Sequence, residues 1–243
     1  MQNITENLIA EEDEVDQEDA DIHDYYSVLG DSLIEPIFVL VDKATSTRLV
    51  GPNQVQASVI ENGYSSAIIL LLVVMLEGMT NYINLHNSGF EPVKNKYSAV
   101  SALKYYTKNI LNTEIDELFV IRDVIAHNHI WETRVSSNDR MIHIKEPTLR
   151  GEYGDRKFAD NVDFITRTTK KLELNVFTTR INWKDVEIVF NSVVRILKCL
   201  ENNLNIHSLT RVGHYKFNGS WIYFDQLFDE VQKKRNLINK AKL

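Results

Sequence analysis

Arg122, Asp123 and His127 lie within the stretch 119–129, and their side chains suit the chemistry of phosphate esters. Histidine exchanges a proton near neutral pH, so it can act as a general acid or a general base. Arginine keeps its charge and presents a planar fork of donors that stabilises phosphate charge. The three residues predict phosphodiester transfer within RNA. A base removes the 2′-OH proton, the 2′-oxygen attacks the adjacent phosphorus, and an acid protonates the leaving 5′-oxygen. This reaction needs no metal ion, and its dependence on the 2′-OH makes it specific for RNA.

The spacing of these residues places them on a helix. Asp123 and His127 are four residues apart, so they share one helix face and Asp123 can orient the imidazole. Arg122 and His127 are about 140° apart around the helix, so they do not stack ideally within one helix, but they could converge on one phosphate if a second copy of the helix faces the first. Arg122 lies among apolar neighbours, and it needs an anion because an unpaired buried charge is very costly.

The pattern of Arg122, a polar residue, three further residues and His127 in a helical chain resembles the R-x4-6-H motif of the HEPN domain family. That resemblance implies a helical bundle that dimerises, with the two motif helices forming one composite site. It also implies a metal-independent endoribonuclease of the toxin–antitoxin or phage-defence type. Arg122, Asp123 and His127 match the motif, and Glu77 matches an acidic residue that several subfamilies carry on the preceding helix. The resemblance covers residues 25–131 and 183–203.

A second histidine leaves the identity of the catalytic imidazole open. His129 fits the longest spacing that the motif allows, although Asp123 lies one turn below His127 and favours His127. Some HEPN toxins carry a tyrosine two residues after the histidine, where a partner enzyme modifies it, and this chain has His129 at that place. Asn128 and His129 are also candidate substrate-binding residues.

Composition predicts a mainly α chain, because 243 residues contain only 9 Gly and 4 Pro. We expect a HEPN-like helical bundle with a small β-hairpin-like insertion at 132–180. One helix contains the stripe from Leu33 to Val41, with Pro36 either near its start or dividing it. Further helices are predicted at 64–85, 96–110, 113–131, 183–203 and 223–240. The helix at 64–85 is apolar on nearly every face and should be packed on all sides.

Local signals refine three of these segments. Thr113 and Asp116 resemble a capping box at the start of the motif helix, and Asn182 is a candidate N-cap for the helix at 183–203. Alternating apolar residues at 171–176 predict a strand that pairs with 141–144.

The charge of the chain is unevenly distributed. Residues 1–24 hold ten acidic residues and no Lys or Arg, so they predict a disordered acidic leader before a helical domain at 25–243. Residues 25–243 contain the other 24 of the 34 acidic residues and all 27 basic residues. This part of the chain therefore has a net charge of +3, which suits a nucleic-acid partner.

The remaining features favour a cytoplasmic protein without cofactor or metal. Cys199 is the single cysteine, which excludes an internal disulfide. The longest apolar run, at 67–76, is shorter than the ~20 residues of a membrane span. No Gly-rich phosphate loop and no zinc-type spacing is present in the sequence.

Three functions are compatible with the sequence. The first is an RNA-cleaving homodimer, a toxin or antiphage effector, with an antitoxin or regulatory protein as a further partner. The second is a non-catalytic HEPN-like interaction module that binds RNA or a partner protein, in which Arg122 and Glu77 form a structural salt bridge. The third is a regulator whose acidic leader masks a basic partner.

Overall fold

Seven α-helices make up most of the residues that the structure describes, which confirms the mainly α prediction. The structure, a computed structural model, describes residues 30–46, 57–87, 98–127, 133–135, 142–144, 156–206 and 209–240. The helices in these segments are α1 (Ile34–Thr45), α2 (Val59–Asn87), α3 (Ala99–Tyr106), α4 (Asn112–Ala126), α5 (Arg156–Asn161), α6 (Trp183–Leu204) and α7 (Leu227–Lys240). The predicted leader at 1–24 lies outside the described residues.

Helix α2 forms the centre of the bundle and packs against α1, α3, α4 and α6. Ile68, Leu72 and Leu76 on its inner side are fully buried, and each such side chain stabilises the fold by roughly 1.5–3 kcal/mol. The expectation that α2 is packed on every side is wrong for the opposite side, where Leu70 and Val74 are only partly buried.

Helix α2 is also long and apolar enough to cross a membrane by length and composition, with a mean hydropathy of 1.9. It is one such helix among the residues that the structure describes, and 44% of the apolar stretch is buried inside the protein. A core helix of a bundle has the same properties, so the feature is weak evidence for a membrane.

The helix starts agree with the sequence at α1 and α6 but not at α4. Pro36 is the third residue of α1, where its missing N–H needs no partner. Asn182 caps α6 by accepting a hydrogen bond from the Lys184 backbone, and Asp185 completes a capping box. The box predicted at Thr113 is wrong, because α4 already begins at Asn112 after Leu111, which provides no side-chain cap.

Three small antiparallel sheets lie between the described helices. Their strands are β1 (Thr133–Val135) with β2 (Ile142–Ile144), β3 (Val162–Asp163) with β4 (Thr168–Thr169), and β5 (Tyr215–Phe217) with β6 (Ser220–Ile222). The predicted pairing of 171–176 with 141–144 is wrong, since β2 pairs with β1. Leu174 and Val176 are buried as expected. Glu173, which lies between Leu172 and Leu174, has a φ of 56° and therefore interrupts an extended strand.

The last predicted helix also begins later than expected. Residues 215–222 form the hairpin of β5 and β6, a short 3-10 helix follows at Phe224–Gln226, and α7 starts at Leu227. Asn218 and Gly219 at the hairpin turn both have positive φ, as an Asn-Gly turn requires.

Candidate active site

The motif helix α4 is buried on most of its surface, as the sequence predicts. Leu118, Val120, Ile121 and Val124 are fully buried, while 24% of the Arg122 side chain stays exposed. The apolar neighbours fix the backbone from which Arg122 projects. Its guanidinium therefore sits at the edge of the core, with one side open to solvent.

Two carboxylates hold the Arg122 guanidinium in place. Nη2 donates a hydrogen bond to Glu77 Oε2 at 3.4 Å, and Nη1 lies 2.7 Å from Asp123 Oδ1. The guanidinium carbon is 5.2 Å from the centroid of the Phe119 ring, within the range of a cation–π contact. Arg122 is thus paired with two anions, as its apolar surroundings require, and Glu77 on α2 is one of them.

Asp123 is shared between two cations. Its second oxygen, Oδ2, forms an ion pair with the Lys157 ammonium on α5. Sequence reasoning missed Lys157, because it lies 34 residues after Asp123 in the insertion, where no motif marks it. In the sequence, only the mild excess of basic residues after the leader indicated further cations near the site, and it did not identify Lys157.

His127 occupies the C-terminal end of α4, where its backbone N–H donates to the Asp123 carbonyl at 3.0 Å. Its imidazole is exposed, and no hydrogen bond joins it to the Asp123 carboxylate among the residues that the structure describes. His127 lies about 7.5 Å along the helix axis from Arg122. The structure therefore brings Glu77, Arg122 and Asp123 into contact, and the ion pairs that join these three residues do not include the imidazole. Asn128 and His129 lie outside the described residues.

Helix α4 also anchors the following segment through a buried carboxylate. Glu117 is fully buried, and its two oxygens accept hydrogen bonds from the backbone N–H groups of Lys171 and Leu172, each at 2.7 Å. The helix α5 packs on α4 in the same region. These contacts fix the segment that carries Lys157 relative to the motif.

The resulting cluster contains two cations, Arg122 and Lys157, and two carboxylates, Glu77 and Asp123. A guanidinium and an ammonium on adjoining helices form an arrangement that can bind a phosphate. Within the described segments, no group of three or more His, Cys, Asp or Glu side chains is placed to hold a metal ion.

Comparisons with protein-family models, curated proteins and solved structures gave no significant match to this chain. Membership of the HEPN family therefore stays a prediction from the motif at Arg122, Asp123 and His127.

Proposed function

We propose that the chain is a metal-independent endoribonuclease that acts as a homodimer. One observation carries the proposal. A single buried helix holds Arg122 at a solvent-facing edge between two carboxylates, and the same helix ends at the exposed imidazole of His127. A phosphate-binding cation and a proton-transferring group are the two components that cleavage through the 2′-OH requires.

The proposed reaction uses His127 for proton transfer and Arg122 for charge stabilisation. The 2′-oxygen loses its proton and bonds to the adjacent phosphorus, while the bond from phosphorus to the 5′-oxygen breaks and that oxygen gains a proton. The products are a 2′,3′-cyclic phosphate and a 5′-hydroxyl. Glu77 and Asp123 position the Arg122 guanidinium. Asp123 takes this role in place of orienting His127, because its two oxygens face Arg122 and Lys157.

The geometry of α4 supports a composite site in a dimer. Arg122 and His127 are about 140° apart on the helix, so one copy does not direct both at one phosphate. The outer side of α2 offers an apolar surface for a second copy, since Leu70 and Val74 are partly exposed within one or two turns of Glu77. We propose that a second copy sits there with its own His127 directed at this Arg122.

The resemblance to HEPN domains extends the proposal to a biological role. We propose a toxin or antiphage effector that acts in the cytoplasm, with an antitoxin or regulatory protein as its partner. The motif residues Arg122, Asp123 and His127 support this role.

A second candidate is a non-catalytic HEPN-like module that binds RNA or a partner protein. The favouring observation is that Glu77 and Asp123 already compensate the charge of Arg122, as in a structural salt bridge. The absence of an Asp123–His127 hydrogen bond within the described residues points the same way.

Cleavage of mixed cellular RNA in EDTA separates the two functions. We would compare the wild type with His127→Ala, Arg122→Ala and the control His214→Ala, which removes an exposed imidazole that lies against the Tyr223 ring. Cleavage by the wild type and the control alone, with 2′,3′-cyclic phosphate ends, is the expected result. Cleavage by His127→Ala but not by Arg122→Ala would indicate that His129, and not His127, transfers the proton. A folded wild type that cuts no RNA would favour the interaction module.

A further inference from the structure

The insertion supplies a second cation to the motif helix. Lys157 pairs with Oδ2 of Asp123, while Arg122 lies against Oδ1 of the same carboxylate. The Lys157 and Arg122 side chains are 31% and 24% exposed, so both reach the solvent. Two cations therefore flank one carboxylate at the open edge of α4.

Lys157 balances the charge of the cluster around Arg122. Glu77 and Asp123 together offset Arg122 and Lys157, so the cluster as a whole is neutral. Without Lys157 the remaining three residues, two carboxylates and one guanidinium, would carry a net charge of −1, which repels a phosphodiester. Arg122 alone, enclosed by two carboxylates, would then be a poor phosphate receptor.

We propose that Lys157 is a substrate-binding residue that contacts the phosphodiester backbone of single-stranded RNA beside Arg122, an inference that rests on the proposed RNA-cleaving function. An ammonium has three N–H donors and acts as a point charge, so it can hold Asp123 and a phosphate oxygen at the same time. The contact carries no base information, so it contributes affinity that is independent of RNA sequence.

The position of Lys157 is fixed by the fold. Helix α5 packs on α4, and the chain after it is tied to α4 through the buried Glu117 carboxylate. Lys157 therefore does not reach Asp123 from a freely moving tail, and its ammonium is held where the RNA backbone would pass Arg122.

Fluorescence anisotropy with a labelled single-stranded RNA of mixed sequence tests the proposal, with 2′-O-methyl groups to prevent cleavage. Lys157→Gln is expected to weaken binding roughly five- to ten-fold at low salt, and the slope of log K against log salt should fall by about 0.7. Lys157→Arg should restore the slope. Lys170→Gln is the matched control, since Lys170 lies in the same insertion and donates to the carbonyls of Ala159 and Asp160.

Cleavage of unmodified RNA gives the second measurement, in which Lys157→Gln should raise KM and leave kcat near the wild-type value. An unchanged salt slope in Lys157→Gln, with binding lost in Arg122→Ala, would overturn the role of Lys157 and leave the proposed function standing. Wild-type cleavage that neither Arg122→Ala nor Lys157→Gln reduces would overturn both. If Lys157→Gln and Lys170→Gln weakened RNA binding equally, Lys157 would act only as a general surface charge, and the proposal would also be overturned.

Discussion

The Glu77 carboxylate reaches the Arg122 guanidinium at 3.4 Å, although the two residues are 45 positions apart in the chain. This contact joins the central helix α2 to the motif helix α4. Both side chains stay partly exposed, at 34% for Glu77 and 24% for Arg122. A pair in this position contributes little stability, because solvent screens the attraction and holding two long side chains costs entropy.

A double-mutant cycle with Glu77→Gln and Arg122→Met measures that contribution. We expect a coupling free energy of about 1 kcal/mol or less from urea-induced unfolding, since the pair is partly exposed. Glu77→Gln should nevertheless reduce RNA cleavage, because Arg122 loses one of the two carboxylates that position it. A coupling of several kcal/mol together with unchanged cleavage would instead favour the structural salt bridge.

The outer side of α2 predicts the effect of a charge in the proposed dimer interface. Val74→Lys places an ammonium on the partly exposed apolar side, one turn before Glu77, and should convert the dimer to a monomer that does not cleave RNA. Multi-angle light scattering gives the mass. Val39→Lys is the matched control, because Val39 is a 53% exposed valine on α1. A dimer that persists in Val74→Lys would exclude this interface.

Mixing two inactive variants tests whether the site is shared. Arg122→Ala and His127→Ala should together recover up to about a quarter of the wild-type activity, since half of the randomly mixed dimers retain one of the two Arg122–His127 pairs of the composite site. No recovery, with exchange of subunits verified, would place Arg122 and His127 of one copy in the same site.

Sequence patterns predicted the parts of the site that depend on local periodicity. The burial of α4 around Arg122 and the capping of α6 by Asn182 both follow from residues within a few turns of each other. The anion required by Arg122 also followed from the cost of an unpaired buried charge, and Glu77 supplies it.

Contacts between distant segments were not predictable in this way. The Asp123–Lys157 pair depends on how the insertion folds back on α4, and no spacing rule relates the two residues. The strand predicted at 171–176 failed for a local reason, since the backbone of Glu173 adopts a positive φ that alternation does not reveal. The Asn218-Gly219 pair is a turn signal in the sequence that favours a hairpin, and it joins β5 to β6.

Removing the Glu117 carboxylate should detach the insertion from the motif helix. Glu117→Ala leaves the N–H groups of Lys171 and Leu172 without their carboxylate partner. A fully buried unsatisfied donor costs roughly 1–3 kcal/mol, so these part-buried donors should cost less than that each. Glu117→Gln keeps one acceptor oxygen and should lose less. Urea-induced unfolding and hydrogen exchange of the two amides measure the effect, with the exposed Glu35→Ala as control. Unchanged protection of both amides would contradict the anchoring role.

Two glycines near α2 should respond oppositely to alanine. A Cβ at Gly30 would lie 2.7 Å from Met79 Cγ and 3.0 Å from its backbone nitrogen, so Gly30→Ala should lower the free energy of unfolding by about 1–3 kcal/mol. A Cβ at Gly63 meets nothing within 4 Å. Gly63 lies inside α2, so Gly63→Ala should raise the free energy of unfolding by roughly 0.5–1 kcal/mol. The same sign for both variants would contradict this packing.

The stability of the β3–β4 turn should depend on pH through Asp163. The backbone N–H of Ile165, and then that of Thr166, donate to Oδ1 and hold the pKa of Asp163 below its ordinary value of 3.8. A lowered pKa means that the charged carboxylate stabilises the fold above pH 3.8, and that this contribution is lost as the pH falls through the lowered value.

Asp163→Asn keeps an oxygen that can accept both N–H groups but removes the charge. Its free energy of unfolding should be lower than that of the wild type at neutral pH, and the difference should shrink as the pH falls below 3.8. Urea-induced unfolding of both proteins across a pH series measures the difference, and the carbon chemical shift of the Asp163 carboxyl reports its titration directly. A difference that stays constant into the acid range would show that the charge of Asp163 does not stabilise the turn.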